Sequence, residues 1–209
     1  LSFEHGGIIG SANGAGPIML CSHAGMFVRM FQLTGDSLFI EMARAAAIGR
    51  DAFVDSATSV ATYYWNAMNK GAGPYPHHAW WQVGWITDYL LSEAQLRSGN
   101  QVMFPRGFVT PKVGPHESYG FAPGRIYGEE ARLVSQEGLV TCDNPNVEYI
   151  IAKNDKKTFV VLLNDLGEEV KAGIKINTGS VVKDMETGKK VDDRQVALAG
   201  YGIKVLMIQ

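Results

Sequence analysis

The chain has 209 residues, of which 46% are hydrophobic and 19% are charged. This composition can bury a packed core, so the sequence does not belong to the disordered class. The formal net charge of -2 argues against a nucleic-acid partner or an acidic membrane surface, because both require a basic patch. No apolar run is long enough to span a bilayer, so no membrane span is predicted.

The first third of the chain predicts an α-helical hairpin. A glycine-rich loop occupies residues 1–16, and a helix begins at Pro17, since proline fits the first turn of a helix. That helix runs to about Leu33 and is broken by the Thr-Gly-Asp sequence at residues 34–36. The next helix is rich in alanine, and its pattern predicts that Arg44 is exposed. Asp36 or Ser37 is the expected cap of this second helix.

A long helix is predicted between Pro74 and Gly99, and its two faces differ in chemistry. Helical spacing from His78 places Trp81, Trp85 and Asp88 on one stripe, which therefore mixes indole rings with hydrogen-bonding groups. The opposite stripe is aliphatic. We expect one face to pack against the protein and the other to line a cavity.

After this helix the sequence changes character twice. Residues 103–130 contain four prolines and many glycines, which exclude a long helix, while their aromatic residues argue against a solvated linker. From Gly128 onward, apolar residues recur with a period of two between turn signals, which predicts a small antiparallel β-sandwich. The predicted domains are therefore a helical domain (1–102), a loop packed on it (103–130) and a β-domain (131–209).

Aromatic and histidine side chains at the start of the long helix are the first candidates for a binding site. Trp80, Trp81 and Trp85 could stack on the C–H faces of sugar rings, or could be ordinary core. His77 and His78 could donate hydrogen bonds to an oxygen-rich ligand or act as acid or base near neutral pH. Adjacent histidines do not both point at one ion, so the sequence predicts no metal site.

Two carboxylates are candidates for acid–base chemistry. Glu4 lies in the glycine-rich loop, where small residues let a ligand approach the backbone closely, although an exposed surface role is the alternative. Asp88 lies well inside the long helix and needs a partner if it is buried. It is either a functional acid or a hydrogen-bonded anchor below the site, and we expect the anchor.

The proline- and glycine-rich loop supplies a second set of candidates. Arg106, His116, Tyr119 and Arg125 combine positive charge with an aromatic ring, which suits a carboxylated or sulfated ligand. The alternative is that they hold the loop in place. The sequence contains no phosphate-binding glycine loop, HExxH, GxSxG or paired CxxC motif, so no cofactor is predicted.

Four segments together resemble a known group of enzymes: HHAWWQVGWITDYLL, FPRGF, YGFAPGRIYG and FVVLLND. They look like the C-terminal part of carbohydrate-active enzymes that have an (α/α) toroid followed by an antiparallel β-sandwich. The six-hairpin glycosidases belong to this group, and several polysaccharide lyases share the architecture. The resemblance covers nearly the whole chain at the level of architecture and includes no family signature.

The resemblance implies a glycoside hydrolase that acts on an oligosaccharide or polysaccharide, including uronic-acid-containing ones. Glycoside hydrolysis uses two carboxyl groups that flank the scissile bond, and the catalytic candidates are Glu4, Asp88 and His78. A polysaccharide lyase of the same architecture is the alternative. Its base would be one of His77, His78, His116 and Tyr119, and Arg106 would neutralise a uronate carboxylate. A non-catalytic sugar-binding or scaffold module is another.

The resemblance also implies that part of the enzyme is missing. A complete toroid needs more helices than this chain supplies, and the chain begins with LSFEHGG and no initiating methionine. The sequence therefore predicts the C-terminal portion of a longer enzyme, with the missing N-terminal part as its partner. A secreted or periplasmic location would fit such an enzyme.

Overall fold

The structure is a computed structural model, and it describes residues 23–49, 79–105, 123–134, 140–176, 181–191 and 195–209. Between residues 79 and 86 it describes the backbone alone. The chain divides into two compact units. The helical unit comprises Leu1–Glu93 with Phe108–Glu117, and the β unit comprises Ala94–Gly107 with Ser118–Gln209. None of the described helices is long and apolar enough to cross a membrane.

The described helices are α1 (Ala24–Thr34), α2 (Ser37–Gly49) and α3 (Ala79–Arg97). Helix α1 ends at Gly35, which has a φ of 71° and donates its backbone N–H to the carbonyl of Phe31 at 2.8 Å. Glycine adopts the left-handed backbone conformation at this position more easily than other residues do. The carboxylate of Asp36 then accepts the N–H of Leu38 at 3.0 Å, which confirms the predicted cap of α2.

Eleven strands are found among the described residues. They are β1 (Val102–Met103), β2 (Gly124–Ile126), β3 (Glu129–Leu133), β4 (Val140–Cys142), β5 (Val147–Lys153), β6 (Thr158–Asn164), β7 (Val170–Ala172), β8 (Ile174–Ile176), β9 (Val182–Asp184), β10 (Val196–Leu198) and β11 (Ile203–Ile208). Seven of them form one antiparallel sheet in the order β1-β2-β3-β5-β6-β11-β9. The pairs β4–β8 and β7–β10 form two small antiparallel sheets.

The core of the β unit lies between the large sheet and the two small ones. Strand β6, with the sequence TFVVLLN, is buried at every position after Thr158, and such continuous burial is typical of a strand covered on both faces. The residues of the core cluster come from both layers: Val140, Val147, Ile151, Val160, Leu162, Ala172, Ile174, Val182, Val196, Leu198, Leu206 and Ile208. The small pairs therefore cover one face of the large sheet.

The large sheet is curled. Tyr127 follows β2 near one edge, and Asp184 ends β9 at the other. Burial raises the pKa of the Tyr127 phenol, and the negative charges of Glu186 and Asp184 raise this pKa further. Charges act in this way only over a short distance, so both carboxylates lie in the neighbourhood of the Tyr127 hydroxyl.

The predicted fold class, α-helical hairpins of an (α/α) toroid followed by a small antiparallel β-sandwich, is wrong. The part of the chain that the structure describes is mostly β, with three helices and a curled seven-stranded sheet. Helical spacing identifies single helices, but it does not show how many of them assemble. The strands do not divide evenly between two sheets, because seven of them join one sheet, in which β6 pairs with both β5 and β11, and the other four form two separate pairs.

One buried amide joins two turns of the β unit. The side chain of Asn164 is 0% exposed. Its Nδ2 donates to the carbonyls of Glu168 at 2.7 Å and Ala199 at 2.8 Å, and its Oδ1 accepts the N–H of Leu166 at 2.9 Å. The turn after β6 is thereby fixed to the turn before β11.

Asn164→Ala is expected to lower the free energy of unfolding by about 3 kcal/mol, since buried polar groups left without partners cost about 1–3 kcal/mol each. Urea denaturation measures this loss. Asn144→Ala is a matched control, because Asn144 makes the same kinds of bond, to the carbonyl of Lys171 and the N–H of Asn146, where solvent can replace them. Equal losses in the two variants would contradict the prediction.

Candidate functional site

The predicted aromatic site lies at the start of α3. The helix begins at Ala79, so Trp80, Trp81 and Trp85 all fall within its N-terminal half. The side chains of these tryptophans lie outside the described part of the structure, as do His77 and His78. The structure thus gives the helical backbone that carries the indoles, and their role in binding stays a prediction.

The carboxylate of Asp88 is bound by an arginine of α1. Nη1 of Arg29 donates to both oxygens of Asp88, at 2.9 and 3.1 Å, and also lies 3.1 Å from Oγ of Ser92. Ser92 donates in turn to the backbone carbonyl of Asp88 at 2.7 Å. The side chain of Asp88 is 19% exposed. One face of α3 is therefore tied to α1 by a partly buried ion pair.

A second ion pair, formed by a residue five positions further along α3, is more deeply buried. Glu93 is 0% exposed. Its Oε1 accepts from Nε of Arg44 on α2 at 3.0 Å and from the Tyr89 hydroxyl at 3.3 Å, while its Oε2 accepts from Nη2 of Arg44 at 3.4 Å. The expectation that Arg44 is exposed is wrong, since its side chain is only 22% exposed.

These two ion pairs fix the middle of α3 against the helical hairpin. Both bonds are charge-assisted, which makes them stronger than neutral hydrogen bonds. The close approach of α1 also depends on Gly25, because a Cβ at this position would overlap the side chain of Asp88. This arrangement supports the anchor interpretation of Asp88, and its alternative role as a catalytic acid stays a prediction.

Arg125 is the candidate from the proline- and glycine-rich loop that the structure describes. It lies in β2 on an exposed face, directly opposite Glu130 of β3. Two residues along β3, and therefore on the same face, the exposed Arg132 lies directly opposite Lys153 of β5. We call these three cations, Arg125, Arg132 and Lys153, the basic stripe.

A groove of about 700 Å³ lies beside the basic stripe, where β3 extends past the turn between β5 and β6. Its lining includes Arg132 and Lys153 together with residues of that turn. Nζ of Lys157 and Oε1 of Glu129 form a 2.6 Å ion pair at the groove. Nδ2 of Asn154 donates to the carbonyl of Glu130 at 3.2 Å, which holds the turn against β3.

The remaining predicted site residues, Glu4, Arg106, His116 and Tyr119, lie outside the described residues, so their positions are not given. Among the residues that the structure does describe, no group of three His, Cys, Asp or Glu side chains could hold a metal ion. Sequence reasoning missed Arg29, Glu93 and Lys153. A buried glutamate about one turn from the end of a helix cannot be distinguished in the sequence from an exposed charged residue.

Comparisons with known proteins give weak similarities. No protein-family model matches the chain, and no curated protein matches it. A β-galactosidase from Bacillus circulans sp. alkalophilus is 21% identical with a TM-score of 0.28, over 34% of this chain and 10% of that one. A GH42 β-galactosidase from G. stearothermophilus is 20% identical with a TM-score of 0.27, over 34% of this chain and 10% of that one.

A candidate α-galactosidase/melibiase from Bacteroides fragilis is 18% identical with a TM-score of 0.26, over 40% of this chain and 18% of that one. All these similar structures carry the names of glycoside hydrolases. The chain spans less than a fifth of the length of each of them. TM-scores this low establish neither a common fold nor a common activity.

Proposed function

We propose that this chain is part of a glycoside hydrolase that acts on oligosaccharides. The observation that carries the proposal is the construction of α3. Its N-terminal half holds Trp80, Trp81 and Trp85 within two helical turns, and the residues that follow are held by the Asp88–Arg29 and Glu93–Arg44 ion pairs. Aromatic rings on a rigid element bind with little loss of conformational entropy.

The assigned roles follow from this geometry and from the chemistry of glycoside hydrolysis, which needs an acid and a base or nucleophile on either side of the bond. Both oxygens of Asp88 accept from Arg29, so we assign Asp88 to holding the helix. Glu4 and His78 are the remaining proposed acid–base candidates. In the sequence, His78 comes directly before Ala79, the first described residue of α3, and two positions before Trp80.

Trp81→Ala and Trp85→Ala are each expected to weaken oligosaccharide binding about tenfold, since a well-placed aromatic contact contributes roughly 1 kcal/mol beyond its buried area. Calorimetric titration of the full chain with neutral and acidic oligosaccharides measures this effect. Trp65→Ala, at the one tryptophan of the sequence that lies outside this group, is the matched control.

Unchanged binding in the Trp81 and Trp85 variants, or no binding by the unaltered chain, would contradict the proposal. Activity assays on the intact protein separate it from the lyase alternative. A hydrolase releases saturated reducing ends, whereas a lyase produces an unsaturated uronate that absorbs in the ultraviolet.

A further inference from the structure

Two turns of the β unit lie against each other at Tyr201, which is in the turn between β10 and β11. The backbone of Tyr201 has a φ of 50°, a left-handed conformation that residues with a side chain rarely adopt. Its N–H donates to the carbonyl of Leu166 at 2.6 Å, and the N–H of Gly202 donates to the carbonyl of Ala199 at 2.8 Å. A conformation of this kind persists where the surrounding structure fixes it.

The turn after β6 supplies the surroundings that fix Tyr201. The buried side chain of Asn164 donates to the carbonyl of Ala199 at 2.8 Å. The two turns approach so closely that a Cβ at Gly200 would overlap the carbonyl oxygen of Gly167. The backbone that carries the Tyr201 ring is therefore held rigidly, and a binding residue on a rigid element loses little entropy when a ligand binds.

The ring of Tyr201 packs against Gly167 and is accessible to solvent. The position that a Cβ of Gly167 would take lies 3.3 Å from Cε2 of the ring, so this part of the ring contacts a residue without a side chain. Tyr201 is 40% exposed, and Gly167, Ala199 and Gly200 around it are exposed as well. These small neighbours leave room for a flat ligand to approach the exposed part of the ring.

We propose that the Tyr201 ring binds a neutral saccharide, with the C–H face of one sugar ring stacked on it. A tyrosine suits this contact because it combines a large apolar area with few rotatable bonds. The same turn carries two exposed glutamates, Glu168 and Glu169, whose carboxylates can accept hydrogen bonds from sugar hydroxyls and would repel a carboxylated or sulfated sugar. The saccharide part of this inference rests on the proposed function, whereas the rigid and exposed ring is independent of it.

The test is calorimetric titration of the full chain at low ionic strength, with cellotetraose, mannotetraose and galactotetraose as neutral probes and tetragalacturonate as the acidic probe. Tyr201→Asn is expected to weaken binding of the tightest neutral probe about tenfold. Tyr201→Phe keeps the ring and should change this affinity less than about twofold. Met103→Ala, which removes a side chain of the same unit that is 45% exposed, is the matched control and should leave the affinity unchanged.

Two further measurements separate lost binding from lost folding. Tyr201→Asn should remain folded, because asparagine adopts the left-handed conformation more readily than tyrosine does, and a melting curve checks this. Glu168→Gln combined with Glu169→Gln changes two exposed side chains and should narrow the preference for neutral over acidic probes. Unchanged binding in Tyr201→Asn, an equal loss in Tyr201→Phe, or equal affinities for neutral and acidic probes would overturn the proposal.

These outcomes are separable from a failure of the proposed hydrolase function. Binding that depends on Tyr201 but not on Trp81 or Trp85 would support the saccharide site at Tyr201 and contradict the proposed function. Binding that depends on the two tryptophans but not on Tyr201 would support the proposed function and overturn the site at Tyr201.

Discussion

Gly25→Ala is expected to destabilise the helical unit by about 2 kcal/mol. In an open helix the same change would stabilise by about 0.5–1 kcal/mol. Here the new Cβ would overlap Oδ2 of Asp88, and would lie 2.7 Å from its Cγ and 3.0 Å from its backbone carbonyl carbon. The side chain can rotate away only by leaving Arg29, and the backbone cannot move without shifting α3. Overpacking of this kind typically costs about 1–3 kcal/mol.

Denaturation followed by far-ultraviolet circular dichroism measures this effect. Met26→Ala, at the neighbouring position in α1 and 40% exposed, should change stability by less than about 0.5 kcal/mol. Adding Asp88→Ala to Gly25→Ala should recover the part of the loss that arises from the carboxylate. A stabilising Gly25→Ala would show that α1 and α3 do not approach as the structure has them.

Arg44→Met is expected to cost about 3 kcal/mol. The variant keeps an apolar chain of similar length, but it removes the cation 3.0 Å from a carboxylate that is fully buried. Breaking a buried ion pair by removing one partner typically costs 3–5 kcal/mol, because the remaining charge has been desolvated without compensation. The partial exposure of Arg44 places the expected loss at the lower end of this range.

A double-mutant cycle separates this effect from lost packing. Arg44→Met combined with Glu93→Leu should be more stable than Arg44→Met alone, because no desolvated charge then remains. Arg44→Lys should be intermediate, since lysine keeps the charge but cannot present Nε and Nη2 to the two oxygens. If Arg44→Met loses less than 1 kcal/mol, Glu93 is not held in the way described.

Helix ends that depend on a few neighbouring residues were predicted correctly from the sequence. The break between α1 and α2 was predicted because Gly35 suits the end of one helix and Asp36 suits the start of the next. The structure confirms the helix end and the helix start. The end of α3 at Arg97, followed by a turn with Gly99 in the left-handed region, is confirmed in the same way. Each of these features depends on a few neighbouring residues.

Features that join distant residues could not be predicted. Arg29 and Asp88 are 59 positions apart and Arg44 and Glu93 are 49 apart. The sequence indicated that Asp88 is an anchor but did not identify its partner, and it presented Arg44 as exposed. Strand order could not be predicted either, because an apolar run does not specify which strand it pairs with. The position of Arg132 opposite Lys153 follows from the register of β3 on β5 alone.

The edges of the large sheet have a consequence for self-association. A segment such as TFVVLLN, left at an open edge, could recruit the same segment from another molecule and start a fibril. The sheet places this strand between β5 and β11. One edge is the two-residue β1, soon followed by Pro105, which cannot donate a hydrogen bond. The other edge is the three-residue β9, in which Lys183 already forms a backbone β-bridge with Lys190. Short, blunted edges thus protect an aggregation-prone centre from fibre growth.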